Sequence, residues 1–100
     1  MLFAFSVSPT TTADESASMS EAVAEAVLVV RASGLPHETT SMFTTIEGEW
    51  DEVMPVIRAA TDAVLAVSSR VSLVLKADIR PGHTGELTGK VERLEARLGS

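Results

Sequence analysis

The chain has 100 residues, 45% of them hydrophobic, with 14 acidic and 8 basic side chains for a formal charge of −6. That composition predicts one domain over residues 1–100 with a single packed core, and argues against a disordered segment. The negative charge argues against nucleic acid, whose binders neutralise phosphates with basic patches; a chain without cysteine has no disulfide, thiolate metal site or cysteine nucleophile and fits a reducing cytoplasm.

The charge is uneven. Residues 1–50 carry seven acids against Arg31 alone, whereas the second half is balanced, so a cationic ligand is drawn to the first half. The start, Met1 to Pro9, has no basic leader and too short an apolar run for a signal segment, and no stretch reaches the roughly 18 to 20 apolar residues of a membrane span. The expectation is a soluble cytoplasmic protein without a membrane partner.

Leu2 to Ser8 alternates, with Phe3, Phe5 and Val7 on one side and Leu2, Ala4, Ser6 and Ser8 on the other, which predicts a strand closed by Pro9. A polar loop follows over 10–17. Ser18 and Glu21 have capping-box spacing, and Met19, Ala22, Val23, Ala26, Val27 and Val30 form a helical stripe, predicting a helix over 19–33. Gly34 suits a left-handed cap and Pro36 forbids continuation. His37 to Gly48 is β-branched and polar and reads as two extended segments joined around Ser41 to Phe43, although no Asn-Gly or Asp-Gly pair marks the turn.

Asp51 is the predicted cap of a second helix with Val53, Ile57, Ala60, Val64 and Val67 buried, fading near Ser68, and Pro55 in or near its first turn. Val71 to Arg80 alternates again, with Val71, Leu73, Leu75, Ala77 and Ile79 expected in the core. Beyond Pro81, Gly82 and Gly85, a last helix carries a narrow seam of Leu87, Val91, Leu94 and Leu98 and an i,i+4 pair of Glu86 with Lys90. The order β-α-β-β-α-β-α is that of an α+β, ferredoxin-like antiparallel sheet with an extra C-terminal helix.

Two helices cover one face of such a sheet. The other carries Leu2, Ala4, Ser6, Ser8, Phe43, Thr45, Glu47, Ser72, Val74 and Lys76, a mixture suited to a ligand, another subunit or both. The last helix either joins that assembly or covers its own sheet. Glu47, at a strand end before Gly48, is an acceptor for an aminopyrimidine or a partner for a cationic ring, or else a solvated turn acid. Ser6, Ser8, Thr45 and Ser72 offer hydroxyl contacts, or keep an exposed face soluble. Phe43 and Trp50 offer stacking surfaces, or pack in the core or an interface. His37 and His83 have no metal-ligand spacing and read as surface histidines; no phosphate-loop, dinucleotide or nucleophile-elbow pattern is present.

Ser18-Met19-Ser20-Glu21, Val23-Ala24-Glu25-Ala26-Val27, Ser33-Gly34-Leu35, then Met42, Thr44 and Ile46-Glu47-Gly48 with Asp51-Glu52-Val53 resemble the small thiamine-binding protein family. The likeness runs over nearly the whole chain and is most specific at S-G-L and I-E-G-x-x-D-E-V. Phe43 stands where a glycine is usual in that family and Thr45 where an aliphatic is usual.

The resemblance implies a ferredoxin-like subunit, sheet-to-sheet assembly into dimers or tetramers, and binding of thiamine or its hydroxymethylpyrimidine moiety without turnover and without a cofactor. Only Glu47 is carried from the family onto this sequence as a ligand residue; joined to the reading of the residues above, the expectation is that Glu47 accepts from the ring amino group near a subunit interface, Ser6, Ser8 and Thr45 supply hydroxyls, and Phe43 or Trp50 stacks. The competing expectation is a structural or regulatory homo-oligomer whose open sheet serves assembly alone. A small enzyme using Glu47 with His37 or His83 is a third reading that no spacing demands.

Overall fold

The computed structural model describes the backbone of residues 1–10 and 15–99 and the side chains of residues 1–10 and 21–99. Its elements are β1 (Leu2–Pro9), α1 (Glu15–Ala32), β2 (His37–Thr39), β3 (Thr44–Glu47), α2 (Trp50–Leu65), β4 (Val71–Asp78) and α3 (Glu86–Gly99). The strands form one antiparallel sheet in the order β2-β3-β1-β4, the expected ferredoxin-like arrangement with α3 added.

The alternation of β1 dictates the core. Phe3, Phe5 and Val7 point to one face and are buried with Ile46 of β3, Ala22, Ala26 and Val30 of α1, and Val53, Ile57, Ala60 and Val64 of α2. Each large side chain here contributes about 1.5–3 kcal/mol by leaving water. The ladder fixes which residues share a face: Phe3 stands opposite Ile46 and Ala77, while Leu2 stands opposite Glu47 and Asp78. The Leu2 row therefore lies on the face opposite α1 and α2.

Local chemistry sets the joints. Gly34 takes φ +75°, the left-handed cap expected after α1. Thr40 closes the β2–β3 turn in place of an Asn-Gly pair: its Oγ1 accepts from the N–H groups of Met42 and Phe43, both at 3.3 Å, and its own N–H donates to the Phe43 carbonyl at 2.8 Å. Gly48 lets β3 turn sharply into α2, for a Cβ there would stand 2.8 Å from Cγ2 of the buried Val53.

Several expectations need correction. Helix α1 begins at Glu15, so Ser18 lies within it and is no cap; residues 11–14 of the predicted loop and the side chain of Met19 lie outside the described residues. Val23 is exposed, because α1 touches the sheet with the narrower row Ala22, Ala26 and Val30. Helix α2 begins at Trp50 after Glu49, whose N–H is accepted by the Glu52 carboxylate at 3.0 Å, so Asp51 is not the cap. Pro55 accordingly sits inside the helix rather than at its entry, and Val67, beyond the end of α2, is exposed.

The largest correction concerns β4. Leu73 and Leu75 do lie on the helix-covered side, opposite Val7 and Phe5, yet they are 43% and 37% exposed, as is Ile79 beyond the strand. The two helices cover the strands around β1 and leave the β4 edge bare.

Two substitutions test this distribution of stability. Phe3→Ala should cost about 3–5 kcal/mol in chemical denaturation and Gly48→Ala about 1–3 kcal/mol, whereas Leu73→Ala should change little. Equal losses for Phe3→Ala and Leu73→Ala would contradict the assigned core.

Candidate functional site

Strand β1 is paired with β4 over all eight of its residues, but with β3 only from Leu2 to Phe5. Past Phe5 the chain of β3 has already turned away into the Thr40–Phe43 connection. The gap so formed is a cleft of about 210 Å³. Ser6, Ser8, Phe43 and Thr44 line it, together with the core residues Phe5, Val7 and Ala26, Val23 and Val27 of α1, and Met42, which is 72% exposed. Thr44 is itself buried, with its hydroxyl 3.2 Å from that of Thr39.

Three of the residues singled out from sequence, Ser6, Ser8 and Phe43, thus meet in one cleft. Its neighbours Thr39, Thr40, Ser41, Met42 and Thr44 were read only as strand and turn. The signal that finds them is the mismatch between an eight-residue β1 and a four-residue β3, which leaves a run of hydroxyls facing a strand it cannot pair.

Thr45 lies outside the cleft, half-buried opposite Ala4 on the open face. Trp50 lies at the far end of the core, its ring edge-on to Phe3 with centroids 5.2 Å apart. His37 is half-buried with Nδ1 2.9 Å from the Leu35 carbonyl, and His83 is exposed. Among the described residues no group of three His, Cys, Asp or Glu side chains is placed to hold a metal ion.

Glu47 occupies a second region, at the end of the open face beside Leu2 and Asp78. Its carboxylate is 8% exposed and accepts two backbone hydrogen bonds from the first turn of α3, from the Glu86 N–H to Oε2 at 3.0 Å and from the Leu87 N–H to Oε1 at 3.3 Å. A carboxylate at a helix N-terminus satisfies orphan N–H groups and complements the helix dipole. Glu47 is therefore the anchor of α3 in this structure.

Ion pairs brace the anchor. Arg93 donates to the Glu86 carboxylate at 2.8 Å with Arg80 nearby at 3.8 Å, and Lys90 pairs with Asp78, so the predicted Glu86–Lys90 pair is replaced by contacts to other partners. The hydrogen bond from Arg93 and its charge hold the Glu86 carboxyl below its ordinary value of 4.5, and Lys90 does the same for Asp78 below 3.8. Helix α3 is held to its own sheet by this first turn and by the Lys90–Asp78 pair; Val91, Leu94 and Leu98 remain 57%, 56% and 71% exposed.

Comparison with known proteins agrees with the architecture, an α+β subunit of ferredoxin-like form. The chain belongs to the thiamine-binding protein family, whose model matches residues 3–95. It is 48% identical over 99 residues to a UPF0045 protein of Mycobacterium bovis, covering 98% of this chain and 94% of that one. A UPF0045 protein of Methanothermobacter thermautotrophicus is 38% identical over 85 residues, covering 83% and 86%. A hypothetical protein of Methanocaldococcus jannaschii superposes with a TM-score of 0.81 at 29% identity, covering 93% of each chain. A Thermotoga maritima protein, described provisionally as one of thiamine biosynthesis or salvage, shares the fold with a TM-score of 0.78 at 22% identity, covering 93% and 96%. No helix among the described residues is long and apolar enough to cross a membrane.

Two experiments test the anchor. Glu47→Ala should destabilise the docking of α3 by about 0.5–2 kcal/mol, seen as loss of amide-exchange protection at Glu86 and Leu87 while Val30 stays protected. Because Glu86 and Asp78 titrate lower in the folded chain than in the unfolded one, their contribution is complete above their ordinary values and is lost as pH falls below them. Protection of the same two amides should therefore decline on acidification and not on raising the pH from neutrality; insensitivity to acid would contradict the ion-pair bracing.

Proposed function

We propose that this protein binds thiamine or its hydroxymethylpyrimidine moiety without turning it over, in the cleft between β1 and the β2–β3 connection. The observation that carries the reading is the convergence of Ser6, Ser8 and Phe43 on one pocket in a chain of the thiamine-binding protein family. Hydroxyls accept and donate, which suits the ring nitrogens and amino group of a pyrimidine, and Phe43 offers a face for stacking. A cavity of roughly 150 Å³ holds a benzene ring, so about 210 Å³ accommodates one substituted six-membered ring and not both rings of thiamine. The thiazolium then lies outside, towards the open face.

Ser6 and Ser8 belong to the row of Leu2 and Ala4, on the face that α1 and α2 leave open. A subunit packed there closes the cleft, which places the ligand near a subunit interface in a dimer or tetramer. Thr45 lies on the same open face and contacts the part of the ligand that emerges from the cleft or the subunit covering it; Glu47, buried at the other end of the sheet with both oxygens on α3, and Trp50 take no part. The second reading is a structural or regulatory homo-oligomer without a ligand. It is favoured by Glu47, whose two oxygens already serve α3, and by the exposed apolar side chains of β4 and α3.

Calorimetry with thiamine and with the free pyrimidine alcohol decides between them. The first reading predicts saturable heat with both compounds. Phe43→Ala should weaken binding by about 1–2 kcal/mol, roughly 5- to 30-fold, the scale of one ring stacked on an aromatic side chain. No heat at millimolar ligand with folded protein would overturn it and leave the assembly reading.

A further inference from the structure

We infer that Glu38 on β2 is the counter-charge for a cationic ring held at the mouth of the cleft, so that the chain favours thiamine, whose thiazolium is permanently positive, over the neutral pyrimidine alcohol alone. The inference rests on the proposed function and adds to it a residue that does not line the cleft.

The first observation is the charge of the cleft itself. Its lining among the described residues consists of apolar and hydroxyl side chains without a single ionisable group. The seated pyrimidine therefore meets no charge, and any selection for a cation has to come from outside the cleft, where the thiazolium stands.

The second is the register of the hairpin. Glu38 stands opposite Thr45, and Thr45 opposite Ala4, so Glu38 lies on the open face. Beyond the Thr39–Thr44 pair the Thr40 N–H donates to the Phe43 carbonyl, which carries the alternation one step further and puts Phe43 on the Thr45 row. Glu38 is then the diagonal neighbour of Phe43, roughly 7–8 Å away, a separation that a long side chain bridges. A single methylene joins the two rings of thiamine, so a pyrimidine stacked on Phe43 leaves the thiazolium within reach of this carboxylate.

The third is elimination among the described acids. On the open face Glu47 is taken up by the first turn of α3 and Asp78 by Lys90, whereas Glu38 is exposed and engaged by no other described residue. On α1, Val23 and Val27 line the cleft, and Glu25 is two positions from each, about 200° round the helix and turned away; Glu21 lies one turn before it. Glu49 stands at the entry to α2, beyond Glu47. The open-face cation Lys76 shares the rung of Glu38 but is three strand spacings off, about 14 Å, past the Debye length of roughly 8 Å at physiological salt. The acidity of the first half of the sequence thus reaches the ligand through one side chain.

Calorimetry on the full chain with thiamine and with the free pyrimidine alcohol tests this. Glu38→Gln should weaken thiamine roughly 2- to 5-fold, the scale of one exposed ion pair, and leave the alcohol unchanged. Glu38→Lys should weaken thiamine further, again without effect on the alcohol, while Glu25→Gln should alter neither. Raising the ionic strength from about 0.01 M to about 1 M, which shortens the Debye length from roughly 30 Å to 3 Å, should erase the difference between wild type and Glu38→Gln. Equal thiamine affinity in wild type and Glu38→Lys, or equal losses for both compounds, would overturn the inference and leave the ligand reading standing. No heat with either compound would overturn both.

Discussion

The structure depends on β1. It is a central strand of the order β2-β3-β1-β4, paired with β3 on one side and β4 on the other, and its inward row of Phe3, Phe5 and Val7 is the surface on which α1 and α2 both settle. Because the side-chain period of a strand is two, burying that row fixes the other, Leu2, Ala4, Ser6 and Ser8, on the uncovered face. The same strand pairs unequally, with β4 along its whole length and with β3 along half of it. The missing half of that second ladder is the cleft. A single constraint thus sets the core, the open face and the candidate site.

The cleft and the charged anchor of α3 lie at opposite ends of the sheet as a result. The buried cluster is aliphatic and aromatic, and the acidic side chains that are held in place, Glu47, Asp78 and Glu86, gather at the opposite end of the sheet from the cleft. There they do positional work: a carboxylate on β3 fixes the first turn of α3 and ion pairs hold its direction. The apolar seam of α3 contributes nothing to the fold of its own subunit while it stands in water. Its exposure, together with that of β4, is the feature that an isolated subunit leaves unsolved.

Much of this was legible in the sequence. Strict alternation gave the whole of β1 and the stripe Val53, Ile57, Ala60 and Val64 gave α2, because both patterns report burial on one face. Gly34 announced the end of α1. What failed had physical reasons. The row of β4 alternates as well as that of β1, but alternation reports a shared face and not whether a helix reaches it. The cap of α2 was missed by two residues because glutamate at Glu49 is not a favoured cap residue and Asp51 is. Glu47 was read at a strand end as a ligand acceptor or a solvated turn acid, because its partners, the N–H groups of Glu86 and Leu87, are backbone donors 39 and 40 residues away that no side-chain pattern displays. Of the candidate residues, Ser6, Ser8 and Phe43 came together because two lie on one strand and the third is where the short hairpin bends toward it.

The central claim is that the unpaired half of β1 is a ligand site. The most direct measurement is a titration of the labelled chain with hydroxymethylpyrimidine followed by amide chemical-shift perturbation. The account predicts saturable shifts centred on Ser6, Ser8, Phe43 and Thr44, with Trp50 and its surroundings unmoved. Shifts confined to the Glu47 and Trp50 end of the sheet, or none with the fold intact, would contradict it.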